Sequence, residues 1–134
     1  MSQAILEALK TKLYASQGAG TFYAAVGGRI YQDQPKPNEL MPFAVFTSQG
    51  DEITHYMGGV EAHKVIVSID LYGKKDLGWE VLGDIEELLY DLLDQTTLTV
   101  YDRGVVLTIN RGARTVEDDA FRVTDEFSIE ATEM

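Results

Sequence analysis

The two histidines, His55 and His63, are the side chains best suited to metal binding or proton transfer near neutral pH. Their separation matches no ligand spacing of a helix or a tight hairpin, and glycines punctuate the chain between them. The chain has no cysteine, which excludes thiol nucleophiles, disulfides and Cys-based zinc sites. We therefore expect no catalytic residue and no metal site, and we interpret both histidines as exposed loop residues.

Motifs that would indicate catalysis or cofactor binding are also missing from the sequence. Gly27-Gly28 lacks the spacing of a dinucleotide- or phosphate-binding loop and follows no predicted strand, so we interpret it as the end of a short helical turn. No serine lies in a nucleophile elbow, and the carboxylates fall in no recognisable acid–base motif. The sequence predicts neither an enzyme nor a cofactor-binding protein.

A row of carboxylates marks a strongly amphipathic helix predicted over residues 76–94. The row follows spacings of 4, 3, 4 and 3 residues, which place it within an arc of roughly 80°, and it comprises Glu80, Asp84, Glu87, Asp91 and Asp94. The opposite side carries leucine and isoleucine, which predicts a face packed on a sheet. Like charges at this spacing disfavour a helix by roughly 0.2–0.5 kcal/mol per pair, so the apolar face must stabilise it.

This acidic face has three interpretations that the sequence leaves open. It is a solvated surface, a contact for a basic patch on a neighbouring molecule, or a cation site. A second copy of the chain would offer a basic patch from the region between residues 103 and 114. The candidate interface residues here are Glu80, Asp84, Glu87, Asp91, Arg103, Arg111 and Arg114.

The segment 51–62 is a second candidate interface. It is too rich in glycine to be core, yet it carries four large apolar side chains. Such residues together on a projecting loop indicate a protein contact, although the loop could instead fold back on its own domain. The residues concerned are Ile53, Tyr56, Met57 and Val60.

The overall charge argues against nucleic acid as a broad-surface ligand. The formal net charge is −11, from 22 acidic and 11 basic side chains. Binding to phosphates depends on Lys and Arg displacing counterions, and here the field is repulsive. We also expect no membrane association, because no stretch approaches the ~20 apolar residues that a span needs and the N-terminus lacks the pattern of a signal peptide.

Hydrophobic periodicity divides the chain of 134 residues into two long helices and several strands, which fits one domain spanning 1–134. The helices are predicted over 2–15 and 76–94, with a short turn at 22–26 capped by Thr21. Strands are predicted at 29–31, 43–49, 63–72, 97–101, 105–110 and 121–131, with an acidic turn at 117–119. Alternation in the strands predicts an α+β fold, in which a mixed, mainly antiparallel sheet carries both long helices on one face and projects a β-hairpin arm.

Asp125 breaks the alternation of the last strand, because it falls on the apolar side. One interpretation is a β-bulge or a strand that overhangs the core. The other is a buried carboxylate paired with an arginine such as Arg111 or Arg114.

The chain resembles the tail-completion or tail-terminator proteins of long-tailed phages and prophages, the family of head–tail joining subunits. The resemblance follows the order of the elements over nearly the whole chain, and each short motif is structural. The matching segments are 26–31 (VGGRIY), 41–46 (MPFAVF), 65–72 (VIVSIDLY), the amphipathic helix after it, and 121–129 (FRVTDEFSI).

The resemblance implies a helix-backed sheet that assembles into a homo-oligomeric, hexameric ring. Such a ring sits on the last ring of the tail-tube protein, stops tube growth and meets the head–tail connector protein. The implied location is the virion tail, after assembly in the bacterial host cytoplasm. DNA would pass through the lumen without specific binding, and the family contributes no catalytic, cofactor or metal residues.

Two other classes of function compete with a ring protein. An acidic protein can imitate DNA and inhibit a nucleic-acid-binding enzyme, which would make it a monomer or dimer with salt-sensitive affinity for a basic partner. A small hydrolase or ligand-binding domain would require a concave pocket with converging polar groups.

Overall fold

The structure, a computed structural model, describes residues 2–15, 17–35, 40–55, 61–74, 78–93, 97–100, 105–118 and 121–133. Helices and strands follow one another along these residues in an order close to the predicted one. The elements are α1 (Ser2–Ala15), α2 (Phe22–Ala25), β1 (Ile30–Gln32), β2 (Phe43–His55), β3 (Glu61–Tyr72), α3 (Gly78–Leu93), β4 (Thr97–Val100), β5 (Val105–Glu117) and β6 (Arg122–Glu133).

The strands form one six-stranded sheet in the order β1-β2-β3-β6-β5-β4. Among the described strands, β1 and β2 pair in parallel and the other neighbours are antiparallel. A short parallel strand at the edge of an antiparallel sheet is a common mixed arrangement. The predicted α+β class with a mixed, mainly antiparallel sheet is therefore confirmed.

Both long helices pack on the same face of the sheet. The side chains of α1 and α3 at helical spacing join alternate residues of the strands in one apolar cluster, each at most 6% exposed. Burying an apolar side chain of this size stabilises the fold by about 1.5–3 kcal/mol. Those largest and most deeply buried side chains are Ile5, Leu9, Leu13, Phe46, Ile69, Leu71, Leu82, Leu89, Leu93, Ile109 and Phe127.

The β2–β3 hairpin is longer than its sequence indicates. The predicted loop was to begin at residue 51, but β2 stays paired with β3 through His55↔Glu61, and the register shifts once, between Ser48 and Gly50. Pairing on both sides of β3 outweighs the low strand propensity of Gly50 and its neighbours, since β6 accompanies β3 as far as Glu133. The tip, residues 56–60, lies outside the described residues.

Strand β5 corrects a second prediction, that a strand would end at residue 110. It continues through Gly112 to Glu117, with a register shift between Arg111 and Arg114. The backbone of β6 approaches Gly112 closely at this bulge, since a Cβ there would lie 3.1 Å from the carbonyl oxygen of Glu126. Glycine, which has no Cβ, avoids this tight contact.

Gly73 brings the end of β3 against α3. A Cβ at this buried position would lie 2.8 Å from Cγ of Leu82. The backbone N–H of Gly73 donates to the carbonyl oxygen of Phe121 at 3.1 Å. Because the backbone is held there, we expect Gly73→Ala to lower the free energy of unfolding by about 1–3 kcal/mol through overpacking. Urea unfolding followed by circular dichroism measures this change.

Gly50→Ala is the matched control for that substitution. Gly50 is exposed and a Cβ there meets nothing within 4 Å, so we expect a change within about 0.5 kcal/mol. Equal losses at Gly73 and Gly50 would show that helix α3 tolerates the extra methyl group.

Candidate interface along the third helix

The acidic face of α3 is exposed in the structure. Glu80, Asp84, Glu87 and Asp91 all point to solvent, while Asp94 lies outside the described residues. A groove runs along this face, lined by Glu80, Gly83, Asp84, Glu86, Glu87 and Tyr90. The predicted amphipathicity is therefore confirmed, with the carboxylates on the exposed side of the helix.

Glu86 is the one carboxylate of α3 that turns toward the sheet. It is only 6% exposed, and Nε of Arg114 on β5 donates to its Oε2 at 2.8 Å and its Oε1 at 3.0 Å. The Arg114 side chain is about half exposed, at 49%. This contact fastens the middle of α3 to the edge of the sheet with a charge-assisted hydrogen bond.

Tyr90, one turn further along α3, reaches a second buried carboxylate. Its hydroxyl oxygen lies 2.6 Å from Oδ1 of Asp125 and 3.0 Å from Oε2 of Glu86. Asp125, on β6, is 1% exposed, and its Oδ2 makes no hydrogen bond among the described residues. Glu86, Tyr90, Arg114 and Asp125 thus form one polar cluster between helix and sheet, called here the α3 clamp.

The pKa values of the two carboxyl groups of the α3 clamp are shifted in opposite directions. Burial alone would raise the pKa of Glu86, but hydrogen bonding with Arg114, Asp125 and Tyr90 outweighs it and lowers that pKa below its ordinary 4.5. Burial, and then the neighbouring Glu86, raises the pKa of Asp125 to about 7. Burial and the same two carboxyl groups raise the pKa of Tyr90, so its phenol stays a neutral donor.

Sequence reasoning found half of this cluster. The interpretation of Asp125 as a buried carboxylate is confirmed, whereas β6 has no register shift at that position; the bulge lies on β5. Arg114 lies opposite Asp125 across the strands, but it binds Glu86. Glu86 and Tyr90 were missed because they flank the leucine face; a search for partners of Asp125 at spacing i, i+4 on the helix could have found them.

The structure describes only part of the other predicted interface residues, so their role stays a prediction. Ile53 lies on β2 opposite His63, and Arg111 lies on β5 opposite Phe127, both placed by their backbones alone. Four more fall outside the described residues: Tyr56, Met57, Val60 and Arg103. Arg114 is the one predicted arginine with a described side chain, and its partner is in its own chain.

In the part of the chain that the structure describes, no group of three or more His, Asp or Glu side chains could hold a metal ion. Within the same part of the chain, no helix has both the length and the apolar character to cross a membrane.

Comparison with known proteins gives a likeness of fold. No protein-family model matches the chain, and no curated protein matches it. Among solved structures, it is similar to a chain in the virion of a native gene transfer agent particle, with a TM-score of 0.66, 15% identity, and coverage of 98% of this chain and 96% of that one. A second solved structure, known by a sequence identifier, has a TM-score of 0.54, 11% identity, and coverage of 100% and 96%. Both likenesses extend over nearly the whole length of each chain.

Proposed function

We propose that this chain is a structural virion protein that forms a ring at the head-proximal end of a phage tail. There it ends tail-tube polymerisation and joins the tail to the head connector. The observation that carries the proposal is the likeness of fold, over 98% of this chain, to a component of a gene transfer agent virion. The order of its sequence motifs, which resembles that of tail-terminator proteins, supports the same role.

The proposed role is structural and not enzymatic. The buried polar groups of the α3 clamp bind one another, and Asp125 is closed off from solvent. The exposed groove carries carboxylates along one helix, without the converging donors and nucleophiles of an active site. A surface of this kind suits contacts with other proteins.

The proposed partners are further copies of the chain, the tail-tube protein and the connector protein. The net charge of −11 makes the subunit repel phosphate, so DNA can cross the ring without adhering to it. The location that follows is the virion tail, with assembly in the bacterial host cytoplasm.

Ring formation is tested by native mass spectrometry of the purified chain, alone and with its tail-tube protein. We expect a closed homo-oligomer, hexameric by the resemblance, that caps the tubes in electron micrographs. Deleting the gene in its phage or prophage should leave heads and tails unjoined, with overlong tails. A chain that stays monomeric at all salt and protein concentrations with tubes present, or infectious particles without the gene, would exclude this function.

The acidic face of α3 is the described surface best suited to contact a neighbour. We expect the triple variant Asp84→Lys, Glu87→Lys and Asp91→Lys to weaken assembly at least tenfold, because it replaces attraction for a basic patch with repulsion. Sedimentation over a protein dilution series measures the loss.

A matched control reverses three exposed carboxylates on other elements. Glu7→Lys, Asp118→Lys and Glu130→Lys change the net charge by the same amount at exposed positions of the chain. We expect this control to assemble like the unmodified chain. If both variants assemble normally, the α3 face is not a subunit contact.

The exposure of the acidic face also favours a second candidate, a DNA mimic that inhibits a basic protein. That function requires a monomer or dimer with tight, salt-sensitive binding to a nucleic-acid-binding protein. Reversing the three α3 carboxylates would abolish such binding while leaving the oligomeric state unchanged, which distinguishes it from the ring.

A further inference from the structure

The hydrogen bonds of the α3 clamp require more hydrogens than ionised carboxylates provide. Tyr90 has one hydroxyl hydrogen, yet its oxygen is within bonding distance of Oδ1 of Asp125, at 2.6 Å, and Oε2 of Glu86, at 3.0 Å. An ionised carboxylate only accepts. With both carboxyl groups ionised, one of the two short contacts would join two acceptors without a hydrogen between them.

One added proton resolves this conflict. If Asp125 carries it on Oδ1, Asp125 donates to Tyr90, and Tyr90 donates to Glu86. Arg114 then donates to Glu86 from the other side. Each of these contacts then has one donor and one acceptor, and the donors from β6, through Tyr90, and from β5 converge on Glu86 of α3.

The net charge of the α3 clamp also indicates one added proton. Among the described side chains, the groups facing Asp125 are Glu86 and Tyr90 from α3 and Arg114 from β5, and its partner on β3 is the apolar Ile69. These two carboxyl groups and one guanidinium leave one negative charge, and Asp125 Oδ2 has no hydrogen bond among the described residues to stabilise it. One proton makes the cluster neutral.

We propose that Asp125 carries a proton in the folded chain and begins a series of hydrogen bonds that holds α3 against the sheet, so that loss of this proton loosens the helix. The α3 clamp is then a pH-sensitive device built into the fold. It holds the same helix that presents the acidic face, yet it does not depend on the ring function, because it operates in the isolated chain.

The direction of the effect follows from the raised pKa of Asp125, about 7 against an ordinary 3.8. Between about pH 4 and 7, Asp125 is protonated in the folded state and ionised in the unfolded state. Stability therefore falls as pH rises through this window, by up to about tenfold per pH unit in the unfolding constant, and levels off above it. Glu86, whose pKa is lowered, acts in the opposite sense and only below about pH 4.5.

Carbon-13 NMR of the carboxyl groups in the full chain tests the proton directly. We expect one aspartate, assigned to Asp125 by through-bond connectivity, to titrate near pH 7 in the folded protein. An Asp125 resonance that titrates below about pH 5 would overturn the proposal. This measurement needs no variant, so it holds even if substitutions at Asp125 do not fold.

Asp125→Asn tests the linkage, because the amide keeps a donor and cannot ionise. Relative to this variant, the unfolding constant of the unmodified chain should rise roughly 10- to 100-fold between pH 5 and 7. The matched control Asp84→Asn, on the exposed face, should follow the unmodified chain at every pH. Parallel pH profiles for Asp125→Asn and the unmodified chain would overturn the linkage.

Amide hydrogen exchange tests the loosening of the helix. Protection factors in α3 should drop between pH 6 and 8 in the unmodified chain and stay constant in Asp125→Asn, while protection in α1 is unaffected. Constant α3 protection in the unmodified chain would refute release of the helix.

Discussion

Replacing Phe127 with alanine should lower the free energy of unfolding by about 3–5 kcal/mol. Phe127 is 1% exposed, lies opposite Val67 across the neighbouring strand, and meets the ring of Tyr90 edge-on at 6.1 Å between centroids. Its removal leaves a cavity between the sheet and α3, and the paired strands on both sides of β6 prevent collapse into it. For a chain of this length, the melting temperature should fall by about 10–20 °C.

Val116→Ala is the control for that prediction. Val116 lies on neighbouring β5, opposite Val123, but is 41% exposed, so its truncation should cost less than about 1 kcal/mol. Calorimetry of the two variants under the same conditions compares them. A loss below about 1.5 kcal/mol at Phe127 would mean that the core repacks around the missing ring.

Arg114→Met should lower the free energy of unfolding by about 1–3 kcal/mol at neutral pH. The variant leaves the carboxylate of Glu86, whose side chain is 7% exposed, without its cation. Breaking a fully buried pair costs about 3–5 kcal/mol, and half exposure of Arg114 reduces that figure through solvent screening. Chemical denaturation at several pH values measures the loss.

The pH dependence of this loss has a definite sign. The folded-state pKa of Glu86 is lowered below its ordinary 4.5, so its pairing contributes stability above about pH 4.5 and loses it as pH falls further. The difference between Arg114→Met and the unmodified chain should therefore shrink in acid. The double variant Arg114→Met/Glu86→Leu should recover most of the stability, because no unpaired charge remains at position 86.

An additive double variant would contradict the pairing. If Glu86→Leu alone costs as much as Arg114→Met and the losses sum, the two side chains stabilise the fold independently. The coupling energy from this cycle is the direct measure of how firmly the charge pair fastens α3 to β5.

The proposed ring contact and the α3 clamp use opposite sides of the same helix, α3. One side presents Glu80, Asp84, Glu87 and Asp91 to solvent, and the other holds Glu86 and Tyr90 against the sheet. Anchoring the helix limits how far the exposed carboxylates can move. A partner that recognises their spacing therefore meets a surface ordered before it binds, which lowers the entropy lost on association.

Local pattern in the sequence determined most of the secondary structure. The helix at 2–15, the short turn capped by Thr21 and the exposed acidic face of α3 all follow from periodicity and capping within one turn or two. The α+β class followed as well, because alternating strands with one apolar face need helices to cover it. These features depend on residues that are neighbours in the chain.

The tertiary structure determined the features that depend on residues distant in the chain, namely the lengths of two strands and the environment of Asp125. Strand β5 runs through Gly112 because β6 pairs with it, and β2 extends past residue 51 because β3 and β6 continue beside it. The environment of Asp125 required Tyr90, which is 35 residues away in sequence. Burial and hydrogen bonding arise from such long-range contacts, so the sequence marked Asp125 as unusual and only the fold supplied its partner and its proton.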